Sequence, residues 1–158
     1  MRADSLQSYL DALGARTPAP ASGSGAAVAG AIGAALAELA ARFSDEREIA
    51  DRLVELRTRL LELADDDAAA YTDFMRTKSA EDRDRTIDVP LSIAEAAAEV
   101  AALATVLVEG GNPRVAGDAE AGFELARAVS RVGARLVEIN LAGADDPRLD
   151  RARAASVG

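Results

Sequence analysis

The stretch from Ala26 to Ala41 is mostly Ala and Gly, interrupted by Val28, Ile32, Leu36, Glu38 and Leu39. Side chains this small build a core only where two backbones come close together. Helices packed on helices do this readily. Aromatic residues make up only 3% of the 158 residues although hydrophobic ones reach 49%, so the same argument covers the rest of the chain. A core of Ala, Leu and Val suits closely approaching helices better than a sandwich of bulky strands. No run of strict apolar/polar alternation is long enough to read as a strand. The expected fold class is all-α, a bundle of about five main helices, with residues 1–158 forming a single domain.

The chain punctuates itself clearly. Asp4 or Ser5 is placed to cap a first helix ending near Gly14. Pro18 to Gly25 reads as a shaped, non-helical turn. A second helix to about Phe43 carries Ala27, Gly30, Ala31, Ala34 and Ala35 on one side and Val28, Ile32, Leu36 and Leu39 on the other. Apolar all round, it is expected to be the central, buried helix. Ser44 or Asp45 is placed to cap a third helix reaching Met75 or beyond, and Ser79 with Asp82 forms a capping box for a fourth. Pro90 is expected to kink or interrupt that helix, which stops at Gly110-Gly111. Asn112-Pro113 opens a fifth, running to about Ala142, with a short tail helix after Pro147.

Some chemistries are excluded by absence. The chain has no Cys and no His. It therefore has no disulfide, no thiolate nucleophile, and neither of the usual side-chain ligands of a zinc site. Carboxylates, hydroxyls, amides, Lys, Arg and Tyr are what remain. A formal charge of −9 argues against a nucleic-acid partner, which requires a basic footprint. The N-terminus lacks the apolar segment of a signal peptide, and the Ala26–Ala41 run is short for a membrane span. A soluble, cytoplasmic protein with no membrane partner is expected.

Helical periodicity singles out particular acids. At 100° per residue, Ile49, Leu53, Leu56, Leu60, Ala64, Tyr71 and Phe74 form one stripe. Asp67 falls within it, while Asp65 and Asp66 point elsewhere. In the fifth helix, Val115, Ala119, Gly122, Ala126, Val129, Gly133 and Leu136 share a face opposite Glu120, Glu124, Arg127, Arg131 and Glu138. Asp118 and Asn140 lie on the apolar side. A carboxylate in an apolar setting needs a partner or a shifted pKa. Asp67 paired with Arg42, or Asp118 capping the turn after Pro113, would be structural solutions; a polar pocket within the bundle would be a functional one. Asp118 and Asn140 stand about 33 Å apart along one helix. They serve separate pockets, or a second subunit completes the site.

Three blocks carry a resemblance. They are Pro18-Ala19-Pro20-Ala21-Ser22-Gly23-Ser24, then Leu63 to Tyr71 followed by Val89-Pro90-Leu91, then Gly111 to Ala119 followed by Ile139-Asn140-Leu141. In order and spacing the chain resembles the formiminotetrahydrofolate cyclodeaminase/methenyltetrahydrofolate cyclohydrolase family. The resemblance implies a helical bundle, usually a dimer, acting on a tetrahydrofolate derivative and needing no metal or redox cofactor. It implies either hydrolysis of 5,10-methenyltetrahydrofolate to 10-formyltetrahydrofolate, or closure of 5-formiminotetrahydrofolate with loss of ammonia. Asp67 and Asp118 are then the catalytic candidates, since a desolvated carboxylate stabilises a cationic one-carbon bridge or takes a proton. Ser22, Gly23, Ser24, Arg42, Tyr71, Asn112, Arg114 and Asn140 are the candidate substrate contacts.

The chain departs from the family pattern in two places. Ala21 and Ser22 replace glycines, and the Lys-rich segment after the second helix is shortened to Arg42-Phe43-Ser44 running into Asp45-Glu46-Arg47-Glu48. Arg42 and Arg114 remain as anion contacts. The alternative expectation is a non-catalytic folate-binding or structural helical dimer. A homodimer is expected in either case, because Ala-rich helices with few aromatics point to a core shared between chains.

Overall fold

The computed structural model describes residues 5–157, and no strand occurs among them. Six α-helices follow in order: α1 (Leu6–Leu13), α2 (Ser22–Phe43), α3 (Arg47–Thr77), α4 (Ala80–Gly110), α5 (Ala116–Leu141) and α6 (Arg148–Ser156). A 3-10 turn, Pro113–Val115, precedes α5. The all-α expectation holds. Asp4 lies outside the described residues; Ser5 caps α1, its hydroxyl accepting from the Ser8 N–H.

Helix α2 packs against α3, α4 and α5 through its small side chains: Ala27, Ala34, Ala37 and Ala41 are buried. It is central but not buried all round. Ile32 is 49% exposed, Leu39 39% and Phe43 61%, so several of its larger side chains face outward, while Val28 is buried. Glycine sets how closely the helices approach. A Cβ on Gly122 would stand 2.9 Å from the Gly33 carbonyl oxygen, and one on Gly133 would stand 2.8 Å from that of Pro90 and 2.9 Å from the Ala94 backbone nitrogen. Because these neighbours are backbone, they cannot move aside alone. Gly133→Ala is expected to lower stability by about 1–3 kcal/mol through overpacking, against a helix-propensity gain of about 1 kcal/mol. A lower urea midpoint at unchanged slope is the expected readout.

Several boundaries differ from expectation for local reasons. Ser22 to Gly25 forms the first turn of α2 and is not part of the preceding loop, which contains the cis Ala19–Pro20 bond. Ser44 does not cap α3. Its hydroxyl donates to the Ala40 carbonyl at 2.8 Å and accepts from the Asn112 N–H at 2.9 Å. Only Ser44 to Glu46 separate α2 from α3, and Asp45 turns the chain with φ 59°. Ser79 caps α4 as expected, accepting from the Asp82 N–H at 3.1 Å. Helix α4 then continues uninterrupted through Pro90. Pro113 begins the 3-10 turn and not α5 itself.

Helices α2 and α4 are both long and apolar enough to cross a membrane, so the helix containing Ala26–Ala41 is not too short for a span. About 61% and 50% of their most apolar windows are buried inside the bundle, a pattern that core helices of a soluble protein share. At the far end, Arg148 reaches Asp146 at 2.7 Å, Asp88 at 3.1 Å and Asp84 at 3.2 Å, tying the start of α6 to α4. These contacts hold the Asp146 carboxyl down to about 2, mainly through the Arg148 side-chain hydrogen bond.

Candidate functional site

Asp67 lies about two-thirds of the way along α3, where the buried Leu53–Leu56–Leu60–Leu63 series gives way to an open wall. Its carboxylate is partly buried and meets the N-terminus of α2, accepting the Ser24 N–H at 2.9 Å. That N–H is one of the donors a helix start leaves without an internal partner. Burial raises the Asp67 pKa above the ordinary carboxylate value, and the Ser24 hydrogen bond only partly offsets this. Neither the Arg42 pairing nor a fully solvated acid describes it. Gly23 makes the seat possible, since a Cβ there would stand 2.1 Å from Asp67 Oδ1 and 2.5 Å from Cγ. The Ser24 side chain, buried in the same turn, shares a 3.0 Å hydrogen bond with the Tyr9 hydroxyl and so docks α1.

A cavity of about 380 Å³ opens beside this carboxylate, within the range of small-molecule sites. The loop and α2 contribute Pro18, Ala19, Ala21, Ser22 and Gly23; α3 contributes Asp67, Ala68 and Tyr71. Thr86 and Pro90 come from α4, and Leu136, Ile139 and Asn140 from α5. Five of the sequence candidates, Ser22, Gly23, Asp67, Tyr71 and Asn140, therefore line one space, with Ser24 behind them.

Thr86 and Pro90 were missed from sequence, although together with Asn140 they form a unit. Pro90 has no N–H to give to the Thr86 carbonyl one turn earlier, and the Asn140 side-chain amide donates to that carbonyl at 2.7 Å. A mid-helix Pro was the available signal, but it did not identify the distant donor. Asn140→Ala is expected to cost about 1–2 kcal/mol by stranding the carbonyl. The loss should shrink in a Pro90→Ala background, where the helix supplies its own donor, and a double-mutant cycle by thermal unfolding measures the difference.

The remaining candidates lie elsewhere. Arg42 forms an ion pair with Glu38 at 2.8 Å near the C-terminal end of α2. Asn112 accepts the Arg114 N–H and donates to the Phe43 carbonyl at 2.8 Å, so it closes a loop. Arg114 is exposed on the 3-10 turn. Asp118 is partly buried, as Asp67 is. It sits at the edge of the buried face and makes no side-chain cap on α5. Gly122 packs at Gly33 and Ala37, which puts Asp118 towards the C-terminal end of α2, while Asp67 is at its N-terminus. About 25 Å of helix separates the two acids within one chain.

A helical bundle that sets a desolvated carboxylate on a helix N-terminus, beside a cavity walled by four helices and a loop, has the frame of a small-molecule site. The chain belongs to the formiminotransferase-cyclodeaminase family, whose model matches residues 5–157. It is 28% identical to a methenyltetrahydrofolate cyclohydrolase of Methylorubrum extorquens over 90% of this chain and 82% of that one. Its fold is similar to the crystal structure of a formiminotetrahydrofolate cyclodeaminase from Thermotoga maritima. The TM-score is 0.90 at 25% identity, covering 99% of this chain and 92% of the other.

Proposed function

We propose that this protein hydrolyses 5,10-methenyltetrahydrofolate to 10-formyltetrahydrofolate in the Asp67 cavity. The observation that carries the reading is the partly buried Asp67 carboxylate, kept from any cationic partner and set against the Ser24 N–H. The methenyl bridge is an amidinium-like cation. Its arrival beside Asp67 replaces the counter-charge that the fold withholds and favours the ionised carboxylate. Water then adds to the bridging carbon, giving up a proton to Asp67. As the carbonyl forms, the bond from that carbon to N5 breaks and N5 leaves protonated, with one proton released overall. No resident cofactor is required. Ser22, Gly23, Tyr71 and Asn140 are the proposed substrate contacts.

The similarity to the Thermotoga maritima enzyme favours a second reading, closure of 5-formiminotetrahydrofolate with release of ammonia. That substrate is also cationic when protonated. One assay separates the two. Purified protein is incubated with each substrate, following loss of methenyl absorbance in one case and its appearance in the other. Acceleration of neither above the spontaneous rate, at protein concentrations that saturate binding, overturns both. The protein is further read as a homodimer, because Ile32, Leu39, Val132 and Ile139 leave apolar surface open on α2 and α5. Light scattering at micromolar concentration should return twice the chain mass.

A further inference from the structure

Helix α5 carries an outward apolar stripe, Ala121, Leu125, Ala128, Val132, Leu136 and Ile139, that repeats every three or four residues. Val132 is 42% exposed and Ile139 55%. The stripe is continuous with the open side of α2, because Leu125 lies directly against Gly33, next to Ile32. Its positions mirror one another about the point between Ala128 and Val129. Ala121 answers Leu136, Leu125 answers Val132, and Asp118, just before the stripe begins, answers Ile139. An antiparallel copy related by a two-fold axis at that point sets Ala121 against Leu136 and Leu125 against Val132.

The charged edge of the stripe chooses the same orientation. Its first half carries Glu120 and Glu124 and its second half Arg131 and Arg135, with Glu138 already paired to Arg135 at 2.7 Å. Antiparallel packing brings Glu124 within about a turn of the partner subunit's Arg131 on both sides of the axis. Parallel packing would lay like against like. Leu136, Ile139 and Asn140 at the end of the stripe are also walls of the Asp67 cavity. The position mirrored by Asp118 is therefore the mouth of that cavity. Asp118 makes no hydrogen bond or ion pair through its carboxylate among the described residues.

We propose that two copies of this chain pack antiparallel along α5 and that the partner subunit's Asp118 enters the Asp67 cavity beside Ile139, so that each site takes one carboxylate from each chain. What the paired acids do rests on the folate reading, but where they lie does not.

The absence of cysteine makes the placement testable without any activity. Asp118→Cys and Ile139→Cys proteins, mixed and oxidised with diamide, are expected to form a disulfide-linked heterodimer that neither forms alone. Within one chain the two positions are about 31 Å apart along the helix. Ala128→Cys should crosslink to its own copy, and Glu109→Cys on α4 should not. Circular dichroism checks that each variant is helical. Failure of both the Asp118–Ile139 and the Ala128 crosslinks overturns the arrangement.

The second arm asks whether the acids work together. Asp67→Asn and Asp118→Asn chains, each inactive alone, are co-expressed with different tags and purified as the heterodimer. One of its two sites is intact only if Asp118 acts across the interface, so about half of wild-type activity should return. No recovery, or full activity in Asp118→Asn alone, overturns the shared site. A wild-type protein inactive on both folates overturns the functional reading, and the crosslinks still decide where Asp118 lies.

Discussion

Asp67→Asn is expected to lower folate turnover at least ~100-fold, the scale of a lost general base or counter-charge, and to make the protein more stable. The substitution preserves shape and leaves an oxygen to accept the Ser24 N–H. What it removes is a charge that burial disfavours, and relief of that kind is worth about 0.5–2 kcal/mol. The pH dependence supplies an independent reading. The folded chain holds the Asp67 proton more tightly than the unfolded chain does, so acidification favours folding at this group. Above the raised folded-state pKa the carboxylate burdens the fold. The burden is shed as pH falls through that value and is gone below the ordinary carboxylate range near ~3.9. The stability difference between variant and wild type is therefore expected to be largest at neutral pH and to close on acidification. Thermal melts of both proteins across pH 3 to 8 (roughly the span of carboxylate titration) measure it. A variant less stable than wild type at pH 7 would make Asp67 a structural acid.

Gly23→Ala is expected to be nearly as damaging to activity, although residue 23 bears no functional group. All three carboxyl atoms of Asp67 lie within 2.7 Å of where the new methyl would stand. A short Asp side chain has little room to retreat along α3, so the carboxylate rotates off the Ser24 N–H or the start of α2 shifts. Either movement displaces the acid on the scale of an ångström, enough to cost ~100-fold in a reaction that depends on placement. The stability cost is about 1–3 kcal/mol, opposite in sign to Asp67→Asn. Restoring space in the double variant Gly23→Ala/Asp67→Ala should recover much of that stability and none of the activity. Wild-type turnover in Gly23→Ala would mean that the carboxylate position is not what catalysis uses.

The helices were legible in the sequence because their signals are local. The Ser79–Asp82 box, the glycines at 110 and 111 and the 3.6-residue stripe of α3 each act within a few positions, and Asp67 stood out as a break in that stripe. The features that were missed depend on long-range pairings. Asn140 serves the carbonyl that Pro90 leaves free across 54 positions, and Ser44 is engaged by Asn112 across 68. Neither pairing leaves a periodic trace. The outward side of α2 was missed for a different reason. Apolar character on every side says that a helix can be buried all round, but not that its own chain has enough helices to do so.

The alanine and glycine seams between α2, α4 and α5 have a consequence for how this protein tolerates sequence drift. In a core of leucines, harm comes chiefly from truncation, which leaves holes. Here most seam positions have little left to truncate, so harm comes from growth. A saturation library scored for folding should be lopsided. Positions such as Ala34, Ala37, Gly122 and Gly133 should reject every larger residue, while the Leu53–Leu60 stretch of α3 should accept conservative apolar exchange. Neutral variation in this chain would then accumulate on α3 and the outer faces, with the seams narrowed to the smallest side chains.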